Sequence, residues 1–247
     1  MAIGLVGSEM CIRDSTGEDS LDVSIDAGNG GNGLTLIDLN ETTADDALAV
    51  DGISYTFPLG EKVSVMVGND VAGSSLYSTA CVYGGPTKSL DDCGNAYSAM
   101  DASEATAMSA SFDIGNGFAA AIGYEGEGDN TDGLFTTQGT DTYGGQISYS
   151  ADQYAASVTY ATYDTPATDT TYLDLNAYWA PEETGTAVPS ISVGYETGNP
   201  GNTTVDTNHY FIGLQWDEMG PGTFGLAYGT QQHYACLLYT SPSPRDQ

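Results

Sequence analysis

The chain has 247 residues, enough for one domain with a sizeable core, and carries 34 acidic against 4 basic side chains, a formal charge of −30. That excess argues against nucleic acid as a partner, because neutralising phosphates takes Lys and Arg, and it repels an anionic membrane surface. Yet 40% of the residues are hydrophobic, with 32 Gly and 17 Tyr, which argues against disorder and for β structure with many turns. No run approaches the ~18 apolar residues of a membrane-spanning helix, whereas about ten alternating residues suffice for a barrel strand.

The two ends differ in composition from the rest. Residues 1–15 and 235–247 hold both arginines, Arg13 and Arg245, and two of the cysteines, Cys11 and Cys236. They look like translated linker sequence, so the expected domain is a partial barrel over residues 16–234, flanked by two non-native segments.

Within that domain the predicted elements alternate apolar and polar side chains with period two. Leu21, Val23 and Ile25 alternate with Asp22, Ser24 and Asp26. After a Gly/Asn/Asp-rich connection, Ile53, Tyr55 and Phe57 alternate with Ser54 and Thr56, then a Pro58-Leu59-Gly60 turn leads to Val63, Val65 and Val67 opposite Lys62, Ser64 and Met66. A long connection with Cys81 and Cys93 precedes Met108, Ala110, Phe112 and Ile114. Gly115-Asn116-Gly117 is a hairpin signal, answered by Phe118, Ala120, Ile122 and Tyr124.

An acidic loop from Glu125 leads to the clearest unit, residues 142–163. There Tyr143, Gly145, Ile147 and Tyr149 oppose Gly144, Gln146, Ser148 and Ser150. Across a tight turn, Tyr154, Ala156, Val158 and Tyr160 oppose Ala155, Ser157, Thr159 and Ala161. Tyrosines sit at both ends of each apolar face, the placement a bilayer-crossing strand calls for. Leu173, Leu175 and Ala177 against Asp174 and Asn176, then Ile191, Val193 and Tyr195, then Tyr210, Ile212 and Leu214, then Phe224, Leu226 and Tyr228 complete eleven predicted strands. Loops are expected to begin at Glu125 and Glu196.

The expected connections are long after odd-numbered strands and short after even-numbered ones, and acids such as Asp38, Asp91, Asp129 and Asp206 collect on the long side. That alternation belongs to hairpins crossing a slab, and a Greek-key sandwich has no counterpart to it. The fold class read from it is all-β, an antiparallel up-and-down transmembrane β-barrel. The polar faces, Asp22, Asp26, Ser54, Thr56, Lys62, Ser64, Gln146, Ser148, Ser157, Thr159, Asp174 and Asn176, are the expected pore lining, and its carboxylates favour cations. Ala151-Asp152 is the expected periplasmic turn.

No catalytic constellation emerges, and the chain reads as no enzyme. Asp91-Asp92 and Glu182-Glu183 are adjacent loop acids rather than carboxyls held across a cleft. Glu125, Glu127, Asp129 and Asp132 miss the calcium-loop spacing, leaving at most weak divalent binding by solvated loops. The GNGGNG run at 28–33 lacks the Lys-Ser/Thr of a phosphate loop, and His209 and His233 share no ligand context. Neither a metal nor a cofactor is expected. Cys81 and Cys93 are spaced for a loop-closing disulfide in an oxidising compartment.

Four stretches carry a resemblance: STGEDSLDVSIDAGN (15–29), YTFPLGEKVSVMVGN (55–69), LNAYWAPEETGTAVPSISVGYETG (175–198) and HYFIGLQWDEMGPGTFGLAYG (209–229). They resemble segments of cyanobacterial outer-membrane porins of the carbohydrate-selective type. The resemblance implies a barrel of about sixteen strands, of which this chain is expected to hold a part. It also implies an outer-membrane location, lipid and small hydrophilic solutes and ions as partners, and a homotrimer as an assembly open to it. The expected function is passive diffusion of sugars and ions with cation preference. The rival reading is a soluble or cell-surface acidic β-sandwich that binds or adheres.

Overall fold

Period-two alternation makes strands wherever it occurs. The computed structural model describes residues 10–13, 19–27, 48–84, 105–127, 133–182, 188–201, 206–219 and 222–230. Its twelve strands are β1 (Met10–Arg13), β2 (Ser20–Ala27), β3 (Leu48–Pro58), β4 (Val63–Val71), β5 (Ala105–Gly115), β6 (Phe118–Gly126), β7 (Asp141–Ser150), β8 (Tyr154–Asp164), β9 (Thr170–Trp179), β10 (Ser190–Pro200), β11 (Thr207–Met219) and β12 (Gly222–Gly229). They lie side by side in chain order in one antiparallel sheet. The fold is therefore all-β and up-and-down, as the hairpin spacing implied. Among the described residues β1 and β12 do not pair with each other, so the sheet is open.

Eleven of these strands answer the eleven read from the sequence. The twelfth, β1, lies inside the segment set apart by composition and pairs with β2 from Met10↔Val23 to Arg13↔Ser20. The hairpin of residues 142–163 forms as read, with Gln146↔Thr159 and Ile147↔Val158 in register and the Ala151 N–H donating to the Tyr154 carbonyl at 2.8 Å.

Burial is inverted relative to a water-soluble sheet. Ile122 is 66% exposed and Ile147 61%, and Val158, Leu175, Ile212 and Leu226 stand out on the same face. On the opposite face Thr159 and Asp174 are 0% exposed, and Gln146, Ser157, Asn176 and Ser192 are buried. An apolar face this large left uncovered marks a surface made for something other than water.

Two strands run further than the sequence indicated. Glu125 and Glu196, expected to open loops, lie within β6 and β10 and are buried. Both point to the polar face, where a carboxylate can meet donors, so acidity did not end the strand. Strict loop alternation fails for the same reason. The β9–β10 connection (180–189) is longer than β8–β9 (165–169) and β10–β11 (201–206), the last of which is shortened because β10 takes up residues assigned to the loop from Glu196. Lys62 is also placed differently. It is exposed in the turn ahead of β4, because Leu59 and Val63 close that turn and the ladder starts only at Val63.

The β5–β6 hairpin depends on left-handed residues, with φ of 96° at Gly115, 56° at Asn116 and 84° at Gly117. A Cβ on Gly117 would stand 2.4 Å from the Ser150 carbonyl oxygen, whereas Gly60, at φ 78°, has nothing within 4 Å. Gly117→Ala is expected to cost more than the ~1 kcal/mol of backbone strain alone, and Gly60→Ala about that amount. Denaturant midpoints of the two refolded variants against the parent check the difference.

Candidate functional site

The polar face is assembled by register. One unbroken row runs Ser64, Ser111, Ala121, Gln146, Thr159, Asp174, Glu196, His209 from β4 to β11. The next row holds Ser148, Ser157, Asn176, Gly194 and Phe211, and the one beyond it Ala155, Tyr178, Ser192 and Gly213. Of the residues read as lining, Gln146, Ser157, Thr159, Asp174 and Asn176 lie buried together in this array. Asp22, Ser54, Thr56, Ser64 and Ser148 are half-buried. The Asp26 side chain and all of Cys93 fall outside the described residues.

What buries the array is a length of the chain itself. After β4, residues 72–84 cross the polar face instead of continuing outward. The Gly73 N–H donates to Glu125 Oε1 at 2.6 Å, on β6. The Ser78 N–H donates to Gln146 Oε1 at 2.7 Å, and Gln146 Nε2 donates back to the Ser78 carbonyl at 2.8 Å and to Thr159 Oγ1 at 2.9 Å. The Val82 N–H donates to Ser192 Oγ at 3.1 Å on β10, and the Gly84 N–H to Gln215 Oε1 at 2.7 Å on β11. Tyr83 packs edge-on against Phe211 with ring centroids 5.4 Å apart. The segment thus gives up backbone donors to wall side chains, which satisfies them without a ladder of its own.

Close approach at the first crossing requires glycine. A Cβ on Gly123 would lie 2.2 Å from the Gly73 carbonyl oxygen. Beside it the Tyr77 hydroxyl is pushed well above the ordinary tyrosine range, first by burial and then by the charge of Glu125. Cys81 is disulfide-bonded, which restrains the segment in its middle.

Chemically the site is a polar surface narrowed by a covalently restrained strap, with carboxylates facing inward from Glu125, Asp174 and Glu196. Among the described residues no three His, Cys, Asp or Glu side chains form a metal cluster. Glu182 and Glu127 are exposed, and Asp91, Asp92, Glu183, Asp129, Asp132, His233 and the GNGGNG run lie outside the described residues. The sequence reading missed Glu125, Glu196, Ser192, His209 and Gln215 as inward groups. For the last four the signal was available in strand parity, since each lies an even number of residues from Gly194 or Gly213.

No family model matches the chain, and no curated protein is similar to it in sequence. Among solved structures it is similar to an anion-selective porin from Comamonas acidovorans at 15% identity and TM-score 0.45, covering 90% of this chain and 75% of that one. It is also similar to OmpT, an outer membrane protein of Vibrio cholerae, at 14% identity and TM-score 0.46, covering 90% and 68%. A form of OmpT lacking loop L8 gives 13% identity and TM-score 0.45 over 92% and 75%.

Gln146→Leu removes the two hydrogen bonds that pin the strap at Ser78, and a third to Thr159 on β8, and leaves the Ser78 amide and carbonyl without those partners. At ~1–3 kcal/mol for orphaned buried groups, amide exchange at Ser78 is expected to accelerate by about tenfold or more while the β7–β8 ladder stays protected. Hydrogen exchange resolved by residue checks it.

Proposed function

We propose that the chain is an outer-membrane porin that passes small hydrophilic solutes, sugars and ions among them, by passive diffusion, and that it is a channel rather than an enzyme. One observation carries the reading. The sheet is apolar outside and polar inside, and a strap folded onto the polar side is held there by hydrogen bonds to wall side chains. Lipid is the environment that accepts the exposed Ile122, Ile147, Val158 and Leu226 face, and water the one that accepts the other. Glu125, Asp174 and Glu196 on the inner face support cation preference, and the chain's charge of −30 points the same way. That preference rests on this chain's own charges and owes nothing to the structural likenesses. The cyanobacterial, carbohydrate-selective character and the homotrimer belong to the same proposal, resting on the sequence resemblance.

Reconstitution in a planar bilayer tests it. Under a salt gradient the reversal potential is expected to have the sign of cation selectivity, and anion selectivity would overturn that part. A freely soluble monomer without conductance would sink the porin reading altogether. Swelling of loaded liposomes in isosmotic sugar reads carbohydrate passage, and the mass of the detergent particle reads the trimer. Ile122→Lys is expected to cost ~2–4 kcal/mol of folding free energy in lipid, while Ser148→Lys on the inner face costs little; denaturant titration in vesicles separates the two.

A further inference from the structure

At the short-turn end of the sheet the polar face holds a cavity of about 320 Å³, and no residue of the strap lines it. Register builds it. Ser64 and Ser111 are direct partners across β4 and β5, and Asp113, two residues further along β5, faces Ala119 on β6. Alternation puts these four on the same face of the sheet. Ala119 carries only a methyl group, which leaves room beside Asp113. Two backbone hydrogen bonds close the space. The Asp113 N–H donates to the Lys62 carbonyl at 2.8 Å, so the turn ahead of β4 lies along the end of β5. The Ser150 N–H donates to the Gly117 carbonyl at 2.8 Å, which brings in the end of β7. Glu61, Lys62 and Ser150 thereby join the lining. The Gly115 N–H donates to Asp113 Oδ1 at 2.8 Å and holds that carboxylate in place.

We propose that this cavity takes a zwitterionic α-amino acid, its carboxylate at Lys62 and its ammonium at Asp113 and Glu61. The lining sets one ammonium, two carboxylates and the hydroxyls of Ser64, Ser111 and Ser150 round a single space. An anion alone would meet the carboxylates and a cation alone the ammonium, whereas a solute carrying both charges matches both. A neutral sugar would engage the hydroxyls and leave the charged groups unmatched. The volume lies at the small end of ligand cavities, about 300–1,000 Å³, and suits a solute of few heavy atoms. Lys62 and Asp113 are exposed, so a solute reaches them without movement of the wall. A chain of formal charge −30 repels free anions, and a zwitterion brings its carboxylate to Lys62 without net charge. Passage of amino acids through the channel rests on the porin reading, and binding in the cavity does not.

Titration of the detergent-folded chain with L-alanine, followed by saturation-transfer NMR and calorimetry, tests the cavity without a membrane. Saturable binding on the order of millimolar is expected, with acetate, methylammonium and glucose each weaker by about tenfold or more. Lys62→Gln and Asp113→Asn should each weaken alanine binding by about tenfold, and Lys62→Arg should keep it within about threefold. Both side chains are exposed, so the substitutions leave the fold intact, which thermal midpoints check. Should Asp113→Asn disturb the turn at Gly115, Lys62→Gln alone decides. Absence of saturable binding overturns the proposal, as does alanine binding unchanged in Lys62→Gln. Acetate bound as tightly as alanine overturns it too, by making Lys62 a simple anion site. Alanine binding without bilayer conductance keeps the cavity and sinks the channel, and conductance without alanine binding does the reverse.

Discussion

The structure depends on a sheet whose two faces have exchanged the roles they have in water. Backbone groups are satisfied strand to strand, so the ladder stabilises itself wherever neighbours exist. The side chains are then free to put the apolar face outward. Ile122, Ile147 and Leu226 do not stabilise this chain by burial against one another; their contribution waits on the surroundings. What remains for the inner face is polar chemistry. The strap is held by hydrogen bonds from Gly73, Ser78, Val82 and Gly84 to four separate strands, with the Tyr83 ring against Phe211. Each is modest alone, on the order of 1 kcal/mol net, and their number with the Cys81 disulfide fixes the path.

The inner face also sets an electrostatic problem. Glu125 accepts the Gly73 amide, a backbone donor set against an inward carboxylate. Asp174 receives the Asn176 amide, and Glu196 stands opposite His209. Three inward carboxylates, Glu125, Asp174 and Glu196, are thus gathered on one face of the sheet. The same scarcity of cations that argues against nucleic acid supports charge discrimination by the proposed channel.

Much of this was legible in the sequence, because period-two patterning needs no tertiary information. The hairpin of residues 142–163 could be paired residue for residue, and its Ile147 and Val158 correctly set apart from Gln146 and Thr159. The failures share one cause. Acids were read as loop residues on the rule that charge seeks water, and in an inverted sheet an inward Glu stays in the strand. Glu125 and Glu196 therefore lengthened β6 and β10, and the loop-length alternation weakened around β10. Lys62 failed differently: parity put it in line with Ser64, but the turn at Leu59 claimed it before the ladder began. The strap was out of reach, because nothing periodic marks residues 72–84 and their partners lie far along the chain.

A trace of the strap's path is nevertheless written into the strands it crosses. Two inward positions along it lack a side chain: Gly123, where a Cβ would stand 2.2 Å from the Gly73 carbonyl oxygen, and Gly213, where one would come within 2.8 Å of the Tyr83 ring. A glycine inside a strand weakens it, and its presence there calls for a close approach by something else. Gly123 lies on β6 and Gly213 on β11, the two strands that also take the first and last of the strap's hydrogen bonds, at Glu125 and Gln215. In an up-and-down sheet, an inward glycine whose Cβ would strike a distant part of the chain therefore marks where a segment crosses the face.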